Sequence, residues 1–187
     1  MLKKEQRLRI EAYVIVGDDD MICDADGVMP ESLKNDADWA FFQSGLDAAD
    51  VCVLGRKNHE VSPNPKGRLR LVLTASVSGV DSSGDAVFWN PAHTSLDTAL
   101  ACFETKVDHL AVVGGQAVFD FFLSEPYRYT RFHLSRIAGV LIPNGRATFS
   151  AIESHPGLSA EDVLRQYGYS PKEEVTLDKD VELVSWG

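Results

Sequence analysis

Two adjacent glycines, Gly114 and Gly115, lie in the stretch of this sequence that points most directly to chemistry, HLAVVGGQAVFDFFL over residues 109–123. The apolar run before them has the length and β-branched content of a buried strand, and apolar residues recur after them at helical spacing. A strand, a glycine turn and a helix place free backbone N–H groups and a positive helix end at one sheet edge, where an anion can bind. A plain turn in which Gly115 relieves crowding explains the pattern equally well. The spacing does not fit the G-x-G-x-x-G dinucleotide fingerprint, so a phosphate here would be held in another way.

A second glycine precedes two basic residues. Residues 50–54, DVCVL, predict another buried strand, and Gly55, Arg56 and Lys57 follow it directly. Arginine binds phosphate through its planar fork and lysine binds it as a point charge. The two cations therefore either bind a phosphate at the edge of the sheet or belong to a solvated surface turn.

One carboxylate lies on an aromatic helix face. Asn35 or Asp36 can cap a helix in which Asp38 precedes Phe41 and Phe42 by three and four residues. The Asp38 carboxylate either interacts with the helix dipole or has a pKa raised by the rings. Its position alone favours the dipole. The acidic cluster nearer the N-terminus lacks the spacing of a calcium loop, so no metal site is predicted.

Strands and helices alternate along the first two thirds of the sequence. Predicted strands cover residues 8–17, 50–54, 69–74, 86–89, 110–113, 130–137 and 181–186. The last of these is expected at the edge of the sheet. Thr94 with Asp97 predicts a helix-capping box, a Ser-Ala-Glu-Asp cap predicts a helix over residues 159–167, and residues 21–33 and 76–85 are expected to be loops. The alternation predicts a mostly parallel sheet with helices on both faces, closed by antiparallel strands toward the C-terminal end.

Length, charge and cysteine usage limit the function. A chain of 187 residues, 44% of them hydrophobic, is expected to form one domain over residues 1–187. The net charge of −10 argues against nucleic acid or an anionic membrane as the main partner. Three cysteines without a C-x-x-C pair predict free, buried or half-buried thiols in a reducing compartment. Residues 1–16 are more typical of a first strand than of a signal peptide, and no stretch reaches the length of a membrane span. We therefore expect a cytoplasmic protein.

Four motifs, weak one by one, form an ordered set. They are Met29-Pro30 with DWAFF at residues 38–42, VCVLGRK at residues 51–57, Gly67-Arg68 before LVLT at residues 71–74, and VVGGQAVF at residues 112–119. The set resembles the dihydrofolate reductase superfold, which includes dihydrofolate reductase and the reductase domain of riboflavin biosynthesis. The resemblance covers roughly residues 8–150. It implies a three-layer α/β sandwich, with a mostly parallel central sheet, helices on both faces and antiparallel C-terminal strands.

The resemblance also implies a cofactor and the residues that hold it. Gly114 and Gly115, usually joined by a cis peptide bond, should face the pyrophosphate of NADPH, while Arg56 and Lys57 should bind its phosphates. The residues that it assigns to the cofactor are Gly55, Arg56, Lys57, Thr74, Ala75, Gly114, Gly115, Gln116, Ala117 and Val118.

Four further positions match catalytic or substrate-binding residues of the folate enzyme. Asp38 matches the acidic residue that supports substrate protonation, and Ser135 matches its hydroxyl partner. The resemblance therefore favours a carboxyl group with a raised pKa at Asp38. Phe42 is expected to bind the substrate, and Arg68 matches the position that binds the glutamate tail of folate.

Several positions depart from the folate enzyme. His59 and Asn58 stand where its motif has Trp and Thr, and Glu31 stands where it usually has Trp. Ala75 occupies the place where many relatives have a basic residue for the 2′-phosphate, which leaves the choice between NADPH and NADH open. Residues 139–149, GVLIPNGRATF, are more similar to the riboflavin reductases, although the first strand and its loop match that group poorly.

The resemblance thus implies an NADPH-dependent reductase that transfers hydride to a small heterocycle, of the 5-amino-6-(5-phosphoribosylamino)uracil reductase type. Dihydrofolate reductase, favoured by Asp38 and Arg68, is one alternative. A non-catalytic nucleotide-binding protein on the same fold, suggested by the substituted positions, is another. A homodimer formed through the C-terminal strands is expected by analogy with the riboflavin group.

Overall fold

The computed structural model describes residues 7–187. Residues 1–6, part of the stretch interpreted above as a first strand rather than a signal peptide, lie outside this range. The strands are β1 (Arg9–Val16), β2 (Met21–Cys23), β3 (Val51–Gly55), β4 (Arg70–Leu73), β5 (Val80–Ser83), β6 (Ala86–Trp89), β7 (His109–Gly114), β8 (Arg131–Ile137), β9 (Arg146–Ala147), β10 (Pro171–Asp178) and β11 (Val181–Trp186). The α-helices are α1 (Asp36–Ala48), α2 (Arg56–Val61), α3 (Leu96–Leu100), α4 (Gln116–Phe121), α5 (Ser150–Ser154) and α6 (Ala160–Gln166).

Nine strands of the described chain form one sheet in the order β10-β11-β8-β1-β7-β3-β4-β6-β5. The six strands from β8 to β6 in that order are parallel to their neighbours, and β11, β10 and β5 are added antiparallel. The predicted parallel sheet with antiparallel C-terminal strands is therefore confirmed. The edge position expected for β11 is wrong, because β10 pairs with its outer side.

Alternating residues of the central strands face opposite sides of the sheet, as the pleat requires. Leu110 and Val112 of β7 belong to the larger core, whereas Ala111 between them packs with Phe41 and Phe42 of α1. The larger core also contains buried residues of α3, α4 and α6. Helices thus cover both faces of the sheet, which gives the expected three layers.

Short elements replace two predicted loops. Residues 21–33 contain β2, which pairs with β9, and a 3-10 helix at Glu31–Leu33. Residues 76–85 contain β5, an exposed strand of four residues that lacks an apolar alternation. The cap of α3 is also one residue later than expected, because the Ser95 hydroxyl accepts from the N–H of Thr98 while Thr94 makes no such bond. Asn35 caps α1 as predicted, accepting from the N–H groups of Ala37 and Asp38.

A glycine sets how closely α1 packs on the sheet. A Cβ atom at Gly45 would overlap the ring of Tyr13, which projects from β1 toward the helix. Tyr13 itself is 7% exposed and contacts Phe41 and Phe42 at centroid distances of 5.7 and 6.4 Å. The absence of a side chain at Gly45 therefore allows direct contact between the helix backbone and the tyrosine ring.

None of the helices in residues 7–187 has the length and apolar character needed to cross a bilayer.

The exposure of the cysteines differs in part from the expectation. All three thiols are free, with Cys52 buried and Cys23 half-buried, but Cys102 is exposed.

Candidate functional site

A cavity of about 1220 Å³ opens where the parallel strands end. Ile15 of β1, Gly55 of β3, Leu73 of β4 and Val113 of β7 all contribute to its lining. Crevices outside the carboxyl ends of parallel strands are the usual ligand sites of open α/β sheets. The volume also exceeds the roughly 300–1,000 Å³ of a typical small-molecule pocket, so it has room for more than one ligand.

Most of the residues predicted for the site line this one cavity. They are Asp38, Phe42, Gly55, Arg56, Lys57, Thr74, Ala75, Gly115, Gln116, Ala117, Val118 and Ser135. Two predicted residues, Gly114 and Arg68, are not part of the lining.

Arg68 is held by side chains of α1. Its guanidinium donates to Asp47 Oδ1 at 2.5 and 3.1 Å and to Gln43 Oε1 at 2.8 Å. The side chain is 19% exposed. A guanidinium with these partners is already neutralised, and the expected grip on a substrate tail would require it to leave Asp47.

The two glycines differ in their surroundings. Gly114 has a φ of +98°, and a Cβ there would lie 2.8 Å from the Phe119 ring, so this position requires glycine. A Cβ at Gly115 would meet nothing within 4 Å. The peptide bond between them is cis, as the resemblance implies. Gly115 therefore offers bare backbone to a ligand in the cavity.

Basic side chains lie at the rim next to these glycines. Arg56 begins α2 and pairs with Glu60 at 2.6 Å, while Lys57 is exposed and forms no ion pair with the described residues. Both α2 and α4 contain only six residues, so their dipoles are weaker than the sequence suggested. Attraction for an anion at this rim must come mainly from side-chain charge and free backbone N–H groups.

Gln116 anchors α4 rather than a ligand. Its side-chain nitrogen donates to the carbonyl of Ala147 at 3.0 Å and to Glu153 Oε1 at 2.7 Å. The side-chain nitrogen thus ties the glycine turn to β9 and is not free to contact a ligand.

The opposite end of the cavity contains the predicted carboxylate. Asp38 is half-buried on α1, and burial raises the pKa of its carboxyl group, while the nearby hydroxyl of Ser135 lowers it in part. Ser135 is 1% exposed and lies on β8, in register with Ile15 of β1. A half-buried carboxyl group with a raised pKa beside a cavity is suited to act as a general acid.

Sequence reasoning missed a polar cluster beneath this carboxylate. Glu11 and Tyr13 of β1 lie beside His133 of β8 and His109 of β7. His133 and, after it, His109 and the Tyr13 hydroxyl lower the pKa of Glu11 to about 2, although burial raises it. These side chains lie on one face of the sheet, because they alternate along parallel strands that are neighbours. No sequence pattern indicated this cluster, because the order of the strands cannot be read from the sequence.

Arg146 is a further residue that the sequence did not single out. It is exposed, lines the cavity from β9 and forms no ion pair with the described residues. Its position after the turn at Pro143–Gly145 gave no signal of a site.

Two of the positions that depart from the folate enzyme lie outside the cavity lining. His59 contacts Arg70 and the edge of Phe88, and Glu31 pairs with Lys34. Asn58 and Ala75 do line the cavity. The first two substitutions therefore do not bear directly on the site.

This sheet order and edge cavity define the dihydrofolate reductase fold, and comparison with solved structures confirms it. The chain is similar to dihydrofolate reductase from Enterococcus faecalis complexed with NADP(H), with a TM-score of 0.61 and 17% identity over 95% of each chain. A protein named for riboflavin biosynthesis from Shewanella sp. PV-4 gives 0.63 and 16%, covering 96% of this chain and 98% of that one.

A diaminohydroxyphosphoribosylaminopyrimidine deaminase/5-amino-6-(5-phosphoribosylamino)uracil reductase from Thermotoga maritima gives a TM-score of 0.64 at 14% identity. The match covers 97% of this chain but 57% of that protein. No family model and no curated protein sequence matches the chain. The predicted resemblance is thus confirmed for the fold, and the activity has to be argued from the site.

Proposed function

We propose that this protein is an NADPH-dependent reductase of the riboflavin-biosynthesis type, acting on 5-amino-6-(5-phosphoribosylamino)uracil or a close analogue. The observation that carries the proposal is a single cavity that joins a glycine and basic rim to a half-buried carboxyl group. One end suits a nucleotide and the other suits a heterocycle that must gain a proton. Two of the similar structures carry riboflavin biosynthesis or the uracil reductase in their names.

The residues present fit a dinucleotide. Gly115 borders open space, so a pyrophosphate can approach its backbone, and Arg56 and Lys57 supply positive charge at the same rim. Thr74 and Ala75, at the end of β4, would border the adenosine half. When bound, the nicotinamide would supply the hydride. The protein would orient the cofactor and exclude water.

Asp38 and Ser135 would manage the proton. Hydride addition to an imine-like centre leaves a nitrogen that needs a proton, and Asp38, with its raised pKa, can hold one beside the cavity. The Ser135 hydroxyl can hydrogen-bond the carboxylate that remains after transfer. In the proposed substrate, the ribose would be reduced to the ribityl form.

Dihydrofolate reductase is the second candidate, and Asp38 favours it equally. The position of Arg68 argues against it, because Asp47 and Gln43 occupy the guanidinium that would bind the folate tail. A nucleotide-binding protein without catalysis is the third candidate.

The test is NADPH binding followed by turnover. Purified protein is titrated with NADPH and NADH by nicotinamide fluorescence, then assayed for NADPH oxidation with the phosphoribosylaminouracil and with dihydrofolate. We expect NADPH binding and turnover of the pyrimidine. Asp38→Asn should bind NADPH normally and lose at least about a hundredfold in turnover.

Each alternative gives a different result in this test. Turnover of dihydrofolate alone would make the protein a folate reductase. NADPH binding without turnover of either substrate, unchanged in Asp38→Asn, would leave the non-catalytic binder. No binding of either nucleotide would refute all three. Asp36→Asn, two residues earlier on α1 at an exposed position, is the matched control and should behave as wild type.

A further inference from the structure

The polar cluster beneath the substrate end of the cavity has no role in the reaction as described above. His133 lines the cavity from β8, two residues before Ser135 and on the same face of the strand. Residues so spaced lie about 7 Å apart, which is close to the width of a heterocyclic ring system. A substrate that reaches Ser135 and Asp38 can therefore also reach His133.

The His133 ring is held from three sides. Its Nδ1 lies 2.7 Å from the Ser185 hydroxyl of β11, its face stacks on Tyr13 at 4.8 Å, and Phe41 meets it edge-on at 5.4 Å. Ser185 is 5% exposed. An imidazole fixed in this way has its orientation set before any ligand binds, which lowers the entropy cost of a contact.

The second ring nitrogen has a charged neighbour but no short hydrogen bond. Nε2 lies 3.7 Å from Glu11 Oε2, beyond hydrogen-bond distance, and makes no hydrogen bond to any residue between 7 and 187. Glu11 Oε2 already accepts from the Tyr13 hydroxyl at 3.0 Å. The negative charge of Glu11 favours a proton on Nε2, and the Ser185 hydroxyl can then donate to Nδ1. Nε2–H thus interacts with the Glu11 charge at 3.7 Å, but no residue between 7 and 187 accepts a short hydrogen bond from it.

We propose that His133 binds the substrate, donating from Nε2 to a ring carbonyl oxygen, and that Glu11 is the residue that positions its proton. This inference rests on the proposed function and narrows it to heterocycles with a carbonyl at the edge away from Asp38. A uracil ring carries carbonyl oxygens and fits the requirement. The contact selects the substrate and takes no part in moving hydride.

The experiment compares two replacements of His133 in the full chain. His133→Phe keeps the stacked ring but removes the donor, and His133→Gln keeps a donor near the position of Nε2. We expect His133→Phe to raise KM for the phosphoribosylaminouracil about tenfold, the loss of one hydrogen bond, with kcat and the NADPH Kd unchanged. His133→Gln should recover part of this loss. His155→Phe, at an exposed position after α5, is the control.

Several outcomes would overturn the inference. An unchanged KM in His133→Phe would show that the substrate does not use this nitrogen. A rise in KM that comes with weaker NADPH binding and a lower Tm, without recovery in His133→Gln, would assign His133 to stability alone. Binding of the pyrimidine can be followed by quenching of the fluorescence of Trp39, which lines the cavity. If wild-type protein binds NADPH but not the pyrimidine, the proposed carbonyl contact is wrong, while the cofactor site stands. If it binds no NADPH, the proposed function itself fails.

Discussion

The half-buried carboxylate of Glu11 gives a stability prediction with a defined pH window. Its pKa falls from an ordinary 4.5 to about 2 in the folded chain, chiefly through His133, and the side chain is 16% exposed. Each pKa unit corresponds to about 1.4 kcal/mol, so the full shift would be worth about 3 kcal/mol. Solvent screening of a group only partly removed from water reduces this figure, and we expect about 1.5–2 kcal/mol.

The lowered pKa of Glu11 decides how the free energy of unfolding changes with pH. Because the folded pKa is below the unfolded one, ionised Glu11 stabilises the fold above pH 4.5, and this contribution is lost as the pH falls from 4.5 to about 2. Glu11→Gln should therefore unfold with about 1.5–2 kcal/mol less free energy at pH 7. The difference from wild type should shrink steadily below pH 4.5.

Urea unfolding at pH 7, 5.5, 4 and 3, followed by tryptophan fluorescence, measures this difference. Glu174→Gln, at an exposed position of β10, is the matched control and should follow wild type at every pH. A Glu11→Gln variant as stable as wild type at pH 7, or a difference that stays constant down to pH 3, would refute the assignment of the charge to this buried cluster.

Three further predictions concern the site residues predicted from the sequence. If Asp38 is the proton donor, kcat should fall as the pH rises through its raised pKa, and Ser135→Ala, which removes the group that lowers this pKa, should move the fall to higher pH; a pH profile identical to wild type would contradict this. Gly115→Ala should keep the wild-type Tm but bind NADPH at least about tenfold more weakly, since its methyl group projects into open space, whereas Gly114→Ala should lower Tm through the Phe119 ring. Arg68→Ala should leave the KM values for both substrates within about twofold and cost up to about 1 kcal/mol of stability, so a large rise in KM for dihydrofolate would restore the folate-tail role.

Residue patterns predicted the central strands well because each is a short apolar run that ends in glycine or a polar turn. They failed for β10, whose residues are exposed along most of its length and show no apolar face, and this hid the true edge of the sheet. Most of the site residues named from the motifs do line the cavity, because the resemblance supplied their positions. Arg68 has the residue type expected at its position, yet Asp47 binds it, and no pattern on one strand reveals such a partner on a helix.

The cluster around Glu11 shows the other limit of sequence reasoning. Glu11, Tyr13 and His133 read as ordinary members of two strands, separated by more than a hundred residues. Only the pairing of β1 with β8 brings Tyr13 opposite His133. Long-range register, which depends on the whole sheet order, is absent from any local pattern.

The close contact at Gly45 has a mechanical consequence. Asp38 lies two turns before Gly45 on the same helix, and α1 rests on the Tyr13 ring at that glycine. Because a packed helix bends little, its distance from the sheet at Gly45 also sets its distance from the sheet at Asp38. A methyl group at position 45 would push the helix away from the sheet, move Asp38 away from Ser135 and widen the cavity mouth. The width of the cavity mouth thus depends on the missing side chain of Gly45, a residue that does not line the cavity.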